Sequence, residues 1–278
     1  MLRLLDRLSL PGDSAKPNED SFAHADAAAL VMDGATMLGD PLMPGPSDAA
    51  WIAQFGARRL MAHLQDQEPK KALRAAMADA EKSFAALARA PMAHQWQLPC
   101  ASVMLAAEHD KGMEFLWLGD CGGIVLQGGA ITVVGETIAK RAEESGRARK
   151  IAQEKKVSPA APGVRAQFMD HLRAARARVN SGEYWLFTPD KRAAAHARHK
   201  IVKVETGALL LLASDGFLAL AGDYGAYDAA GLVAAAKKKG LAALGEELRA
   251  IEDGDAVGEK FARFKKSDDA TALLLEVQ

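Results

Sequence analysis

Acidic residues stand at the ends of several apolar, strand-like runs in this sequence. Each follows or precedes a segment of leucine, valine, alanine or methionine, as a side chain at the end of a buried strand would. The residues placed in this way are Asp33, Asp120, Asp215 and the pair Asp268 and Asp269, and a further acidic pair, Glu19 and Asp20, opens the second run. Buried strands end near one another on the rim of a sheet, so we expect these carboxylates to converge in one cleft.

Such a set of carboxylates has a specific chemical use. Clustered carboxylates repel one another and lose hydration when buried, so they require a cation. An all-oxygen ligand set suits Mg²⁺ or Mn²⁺ better than zinc, which favours histidine and cysteine. Two such ions, roughly 3.5 to 4 Å apart, lower the pKa of a bridging water and bind a phosphoryl oxygen, which is sufficient to hydrolyse a phosphate ester. A single Asp-Gly pair would indicate only a turn, so the prediction depends on the whole set.

The order of the acidic motifs adds to this interpretation. The motifs are Asn18-Glu19-Asp20-Ser21, Val31-Met32-Asp33-Gly34, Leu118-Gly119-Asp120, Leu212-Ala213-Ser214-Asp215-Gly216 and Ser267-Asp268-Asp269-Ala270-Thr271. Together and in this order they resemble the metal-dependent serine/threonine protein phosphatases of type 2C, the PPM-type phosphatases. The resemblance extends over nearly the whole chain, from about Asp13 to Val277.

The resemblance implies a fold and a cofactor. The fold is α+β, a four-layer sandwich in which two packed antiparallel β-sheets are flanked by pairs of antiparallel helices. The cofactors are two Mn²⁺ or Mg²⁺ ions, with a third in some members, bound at one end of the sandwich. A water that bridges two of the ions would attack the phosphorus atom.

The resemblance also implies a role for each acidic residue. Asp33 would bridge both metals through its carboxylate, and Gly34 would offer its backbone carbonyl. Asp215 and Asp268 would complete the shell of one metal. The other ion would be held, partly through waters, by Glu19 and Asp20. The remaining position, Asp120, would join Asp215 in holding a weaker third metal.

Three departures from the family pattern concern the groups that would face the substrate. The usual phosphate-binding arginine is replaced by Ala15, and the adjacent Lys16 is a candidate for the substrate phosphate, although lysine lacks the bidentate fork of arginine. Ala35-Thr36 follows Asp-Gly, so a histidine general acid is missing there. The usual Gly-Asp-Ser-Arg is Gly119-Asp120-Cys121-Gly122. These changes indicate retained catalysis with an unusual choice of substrate.

The local sequence predicts the elements that must position these residues. Ser47 is expected to cap one helix and Pro69 to begin another that ends near residue 90. Gly128-Gly129 is typical of a hairpin turn. Further strands are expected at 2–10, 21–33, 102–106, 113–118, 123–127, 130–134, 184–187, 201–204, 209–213 and 272–277, and further helices at 228–238 and 240–252. We expect a single phosphatase-like domain over residues 1–278, with a largely helical insertion at about 137–178.

The composition is that of an ordinary soluble globular protein. Of its 278 residues, 49% are hydrophobic and 26% charged, and the formal net charge is −1. This balance gives no reason to expect a nucleic acid or membrane partner. The two cysteines fit reduced thiols, and a cytoplasmic location is expected.

Three functional hypotheses follow. The first is a metal-dependent phosphatase of phosphoserine and phosphothreonine in proteins. The second, motivated by Ala15 and Ala35, is a catalytically weak relative that binds a phosphopeptide or partner as a regulatory module. The third is a phosphatase of small phosphorylated metabolites, with the insertion at 137–178 as a lid.

Overall fold

The computed structural model describes residues 1–135, 158, 160–161, 164–182, 184–263 and 265–278. The strands are β1 (Leu2–Leu10), β2 (Asp20–Ala25), β3 (Ala28–Gly34), β4 (Ala101–His109), β5 (Gly112–Leu118), β6 (Gly122–Gln127), β7 (Ala130–Gly135), β8 (Arg198–Val202), β9 (Leu209–Ala213) and β10 (Ala270–Val277). The α-helices are α1 (Asp48–His63), α2 (Pro69–Leu87), α3 (Val164–Gln167), α4 (Met169–Arg176), α5 (Asp215–Leu218), α6 (Ala229–Lys239) and α7 (Leu241–Gly254), with short 3₁₀ turns at Gln95–Gln97 and Lys191–His196.

The strands form two five-stranded antiparallel sheets. One has the order β1-β10-β9-β6-β7 and the other β2-β3-β4-β5-β8. In the first sheet β1 pairs with β10, the last strand of the chain, so strand pairing brings distant parts of the sequence together.

The central strands are buried on both faces, which explains their unbroken apolar runs. On β3, Leu30 and Met32 pack against the helices α1 and α2, whereas Val31 packs between the two sheets. On β9, Leu211 packs against α6 and α7, whereas Leu210 faces the other sheet. This alternation follows from the period of two in a strand.

Helix pairs cover the two outer faces of the sheets. Ser47 caps α1 and accepts hydrogen bonds from the amides of Ala49 and Ala50 at 3.2 and 3.3 Å. The helix α2 begins at Pro69, at a position where a missing N–H costs nothing. The architecture is therefore the expected α+β arrangement of two packed sheets with flanking helices.

Two predicted strands differ from the structure. Residues 21–33, expected as one strand, lie in the two strands β2 and β3, which a turn at 26–27 separates. Residues 184–187 form only an isolated bridge, between Phe187 and Ala101. The reason is that the side chain of Asn180 takes the place of a partner strand. Its amide oxygen accepts a hydrogen bond from the Leu186 N–H at 2.8 Å, and its amide nitrogen donates to the Leu186 carbonyl at 3.2 Å.

The predicted insertion at 137–178 lies partly outside the described residues. Within it, α3 and α4 are helical. In the described parts of the chain, no helix has the length and apolar character needed to cross a membrane. The single domain over residues 1–278 stays a prediction.

Candidate metal centre

Strand pairing places two of the acidic residues directly opposite each other. In the antiparallel register of β2 and β3, Asp20 faces Asp33. Asp33 shares its face of β3 with Val31, which packs between the sheets, so both carboxylates belong to the inter-sheet side at the strand ends. Like charges directly opposite each other on neighbouring strands are destabilising. The register therefore creates an electrostatic cost that a cation would offset.

Two further acidic residues come from the neighbouring strands β9 and β10 of the other sheet. Asp215 begins α5 immediately after β9, and Asp268 lies just before β10. Ser214 ties these segments together, since its N–H donates to the Thr271 carbonyl at 2.9 Å and its hydroxyl accepts from the Thr271 N–H at 2.9 Å. At Gly216 a Cβ atom would lie 2.0 Å from the Asp269 carbonyl oxygen, so the close approach of the two loops requires glycine.

The charges of these residues act on one another. Burial raises the pKa of Asp33 well above its usual value, and Asp20, Asp215, Asp268 and Asp120 raise it further in that order. The structure thus brings together carboxylates from both sheets, as the sequence motifs predicted.

Asp20 is the most deeply buried of these carboxylates, with 4% of the residue exposed. Burial raises its pKa well above the usual value, and Asp268, Asp269 and Asp215 add to the effect. The nearby Ser214 hydroxyl opposes this shift, but its geometry does not make a hydrogen bond to either carboxylate oxygen. Both oxygens therefore lack a hydrogen-bond partner among the described residues.

Glu19 differs from Asp20 in having partners for both oxygens. The Thr36 hydroxyl donates to its Oε2 at 2.6 Å, and the Ser47 hydroxyl donates to its Oε1. These donors fix the orientation of the Glu19 carboxylate. Thr36, one of the departures from the family pattern, thus has a direct contact with a predicted metal-site residue.

Gly34 lies at a second point where chain segments of the site pack closely together. A Cβ atom at Gly34 would lie 2.4 Å from the Ala49 carbonyl oxygen and 2.5 Å from that of Glu19. Its N–H donates to the Glu19 carbonyl at 3.0 Å. The glycine is required by this close packing, which holds the start of β2 against the end of β3.

Asp120 lies beside Ser102 on the adjacent strand β4. The Ser102 hydroxyl donates to its Oδ1, and the Tyr184 hydroxyl donates to its Oδ2 at 3.1 Å. Gly119, before it, has a φ of +81°, and a Cβ there would meet the Ser102 hydroxyl oxygen at 2.3 Å. The tight turn at this glycine aims Asp120 toward the cluster, where its charge raises the pKa of Asp33.

Two side chains of the site have roles that the sequence did not indicate. Asp269 joins distant loops, because its carboxylate accepts from the Gly12 N–H at 2.7 Å and the Glu19 N–H at 2.6 Å. Lys265 forms an ion pair with Asp268. Burial raises the pKa of Asp268, and Lys265 partly offsets this effect. The Asp269 contacts are set by tertiary structure and have no local signal, whereas the Lys265–Asp268 pair joins residues three apart in the sequence.

The predicted phosphate-binding residue Lys16 lies at the surface. Its ammonium is 3.3 Å from the Asp13 carboxylate, and 75% of its side chain is exposed. Ala15 beside it is exposed and carries no charge. An exposed pair of this kind contributes little binding energy, and the role of Lys16 stays a prediction.

The residues fit a divalent metal in their chemistry, although they do not form a closed ligand shell. No three His, Cys, Asp or Glu side chains in the described ranges are placed to hold a metal ion together. The fit rests on the unpaired oxygens of buried Asp20 and on the mutual repulsion of carboxylates around Asp33. A bound cation satisfies both, and the oxygen donors suit a hard ion.

Comparison with known proteins supports the family and the fold that the sequence motifs indicated. The sequence model of the Protein phosphatase 2C family matches residues 13–249. The serine/threonine phosphatase PstP/Ppp of Mycobacterium tuberculosis is similar in structure, with a TM-score of 0.58 and 16% identity over 100% of this chain and 99% of that one. The phosphatase MsPP of Mycobacterium smegmatis, solved in complex with cacodylate, has a TM-score of 0.54 and 15% identity over 99% of each chain. No curated protein matches this chain significantly.

A solved structure of the PstP catalytic domain, in complex with two manganese ions, is also similar. Its TM-score is 0.54 at 15% identity, over 100% of this chain and 99% of that one. At these identities the structural likeness establishes the fold. The family match covers most of the sequence, and this protein belongs to the protein phosphatase 2C family.

Proposed function

We propose that this protein is a metal-dependent phosphoric-ester hydrolase that acts on phosphoserine and phosphothreonine in proteins. The observation that carries the proposal is the buried cluster around Asp33 and Asp20. Carboxylates from both sheets raise one another's pKa there, and the Asp20 carboxylate has no hydrogen-bond partner among the described residues. Buried carboxylates that repel one another are destabilising, and a bound cation would offset this cost. Family membership adds the reaction class.

In this proposal the cofactor is a pair of Mn²⁺ or Mg²⁺ ions. Asp33, Gly34, Asp215 and Asp268 would hold the ions directly, and Asp20 would supply its two unpaired oxygens. When bound, such ions lower the pKa of water and neutralise charge on a phosphoryl group. The PstP catalytic domain, which is similar in fold, was solved in complex with two manganese ions, and this supports the choice of metal.

The surrounding residues would orient these ligands. Thr36 and Ser47 fix the Glu19 carboxylate through their hydroxyls, which fits a residue that acts on the metal through water. Asp120, with Ser102 and Tyr184 as donors, would serve a third and weaker ion together with Asp215.

A substrate panel tests the proposal. Protein stripped with EDTA and reloaded with Mn²⁺ would be assayed for phosphate release from phosphoserine and phosphothreonine peptides and from phosphorylated metabolites. We expect the peptides to be hydrolysed with the higher kcat/KM. A higher kcat/KM for the metabolites would indicate a phosphatase of small molecules instead. No phosphate release from any member of the panel would contradict the proposal.

The second candidate function is a regulatory module that binds a phosphopeptide or partner protein without turnover. The observation that favours it is the surface position of Lys16 next to uncharged Ala15. Calorimetric titration with Mn²⁺ and Mg²⁺ separates the two functions. Binding at or below the millimolar range supports the hydrolase, whereas no binding favours the module.

A further inference from the structure

The phosphatase proposed above needs a positively charged side chain to bind the substrate phosphate, and the first loop has none at Ala15. Lys16 is exposed and already lies 3.3 Å from Asp13. A positive group from another part of the chain is therefore required if phosphate is to be bound beside the carboxylates. The described residues between 164 and 176 contain three arginines, Arg165, Arg173 and Arg176.

Helix α4 is fastened to the loop that follows Asp33-Gly34. The Arg173 guanidinium donates to the Leu38 carbonyl at 3.0 and 2.8 Å and lies 4.5 Å from the ring centre of Trp96. The Arg176 guanidinium makes longer contacts, at 3.4 Å, with the carbonyl oxygens of Ala35 and Thr36. These bonds place α4 at the end of the sandwich where the carboxylates lie.

The chain just before α4 is fixed as well. Phe168, between α3 and α4, is 3% exposed, and Val164 at the start of α3 is 5% exposed. Further upstream, the Ala160 N–H donates to the Val257 carbonyl at 3.0 Å. Arg165 is therefore carried on a segment that is anchored on both sides.

Arg165 differs from the other two arginines in its contacts. Arg173 and Arg176 bond to backbone carbonyls, but no hydrogen bond or ion pair joins Arg165 to another residue in the described ranges. Burial lowers the pKa of its guanidinium; Asp268 and Glu19 oppose this shift, and Arg176 adds to it. Arg165 is thus a half-buried cation near the cluster with five donors available.

We propose that Arg165 binds the phosphate group of the substrate, because the first loop has Ala15 in place of an arginine that could do so. The inference rests on the proposed phosphatase function. The planar guanidinium can donate two parallel hydrogen bonds to phosphate oxygens, which an ammonium cannot do with the same geometry. A partly desolvated arginine also gains more from an anion than an exposed lysine does.

Direct binding of inorganic phosphate tests this proposal without requiring turnover. Manganese-loaded wild-type protein, Arg165→Gln, Arg165→Lys, Lys16→Gln and the exposed control Arg178→Gln would be titrated with phosphate by calorimetry. We expect Arg165→Gln to weaken binding about tenfold to a hundredfold, as for the loss of a charge-assisted contact. Arg165→Lys should give an intermediate loss, and the two other variants should bind like wild type.

The kinetic arm uses hydrolysis of an aryl phosphate by the same proteins. We expect Arg165→Gln to raise KM by a similar factor and to leave the affinity for Mn²⁺ unchanged. Unchanged phosphate affinity in Arg165→Gln, no phosphate binding by wild type, or a loss in Lys16→Gln instead would each overturn the assignment. Phosphate binding that depends on Arg165 in a protein without hydrolytic activity would support the assignment and refute the proposed function.

Discussion

Replacing Asp20 by asparagine should stabilise the metal-free protein, although most substitutions of buried residues destabilise. Asp20 is 4% exposed, neither oxygen has a hydrogen-bond partner in the described structure, and it faces Asp33 across the β2–β3 pair. An unsatisfied buried acceptor costs about 1 to 3 kcal/mol, and more when it is charged. Asparagine has nearly the same volume and is still polar, but it removes the charge and its repulsion with Asp33, so we expect the free energy of unfolding in EDTA to rise by about 1 to 3 kcal/mol.

The same substitution should weaken the response to metal. Free Mn²⁺ at about 100 times its dissociation constant should stabilise wild type by about 2.7 kcal/mol. If Asp20→Asn lowers the affinity about tenfold, the same concentration yields about 1.4 kcal/mol. Metal should therefore narrow the difference in free energy of unfolding between the two proteins or reverse its sign.

Urea unfolding at neutral pH, in EDTA and in Mn²⁺, measures both effects. Asp26→Asn is a matched control, because Asp26 lies in the turn between β2 and β3 and is exposed. The control should change neither stability nor the response to Mn²⁺. A less stable Asp20→Asn protein in EDTA, or an undiminished response to Mn²⁺, would refute the electrostatic account of this cluster.

Two further predictions concern a partly buried ion pair and a close contact of two loops. Asp255 accepts backbone hydrogen bonds and pairs with Arg263 at 2.7 Å, and although burial raises its pKa, these partners lower it overall. Asp255→Asn should therefore lower the free energy of unfolding by about 1.5 to 3 kcal/mol at pH 7. This difference from wild type should shrink as the pH falls below the ordinary aspartate pKa of about 3.9, and it should be lost below the lowered pKa of Asp255. An undiminished difference in urea melts at pH 3 would contradict the prediction. Gly216→Ala would place a Cβ atom 2.0 Å from the Asp269 carbonyl oxygen and should lower the free energy of unfolding by about 1 to 3 kcal/mol. Gly182→Ala, whose Cβ would meet nothing within 4 Å, is the control in the same thermal and urea melts.

Much of the fold follows from local patterns. The run Leu209–Ala213 matches β9 at both ends, and Ser47 and Pro69 mark the first turns of α1 and α2 because capping and proline preferences are local. The residues 184–187 show the limit of such patterns. Their apolar composition predicts a strand, but the side chain of Asn180 takes the backbone bonds of Leu186.

The residues of the candidate site also fall into two groups, those that local sequence patterns identify and those that they do not. Asp33 and Asp215 follow apolar strands, so a sequence pattern can identify them. The contacts of Asp269 with Gly12 and Glu19 span about 250 residues of chain, and no local signal predicts them. The electrostatic effects of Asp268 and Glu19 on Arg165 likewise join residues that are distant in the sequence, and no local signal predicts them.

The most direct measurement of the central claim is the rate of aryl phosphate hydrolysis as a function of metal, in wild type and in Asp33→Ala and Asp215→Ala. Each protein would be stripped with EDTA, titrated with Mn²⁺ or Mg²⁺, and checked for folding by circular dichroism. We expect no hydrolysis by wild type in EDTA, recovery on addition of metal, and a fall of at least about a hundredfold in both variants, as for loss of groups that act in the transition state. Full activity in EDTA, or in folded Asp33→Ala, would contradict a metal-dependent phosphatase built on these carboxylates.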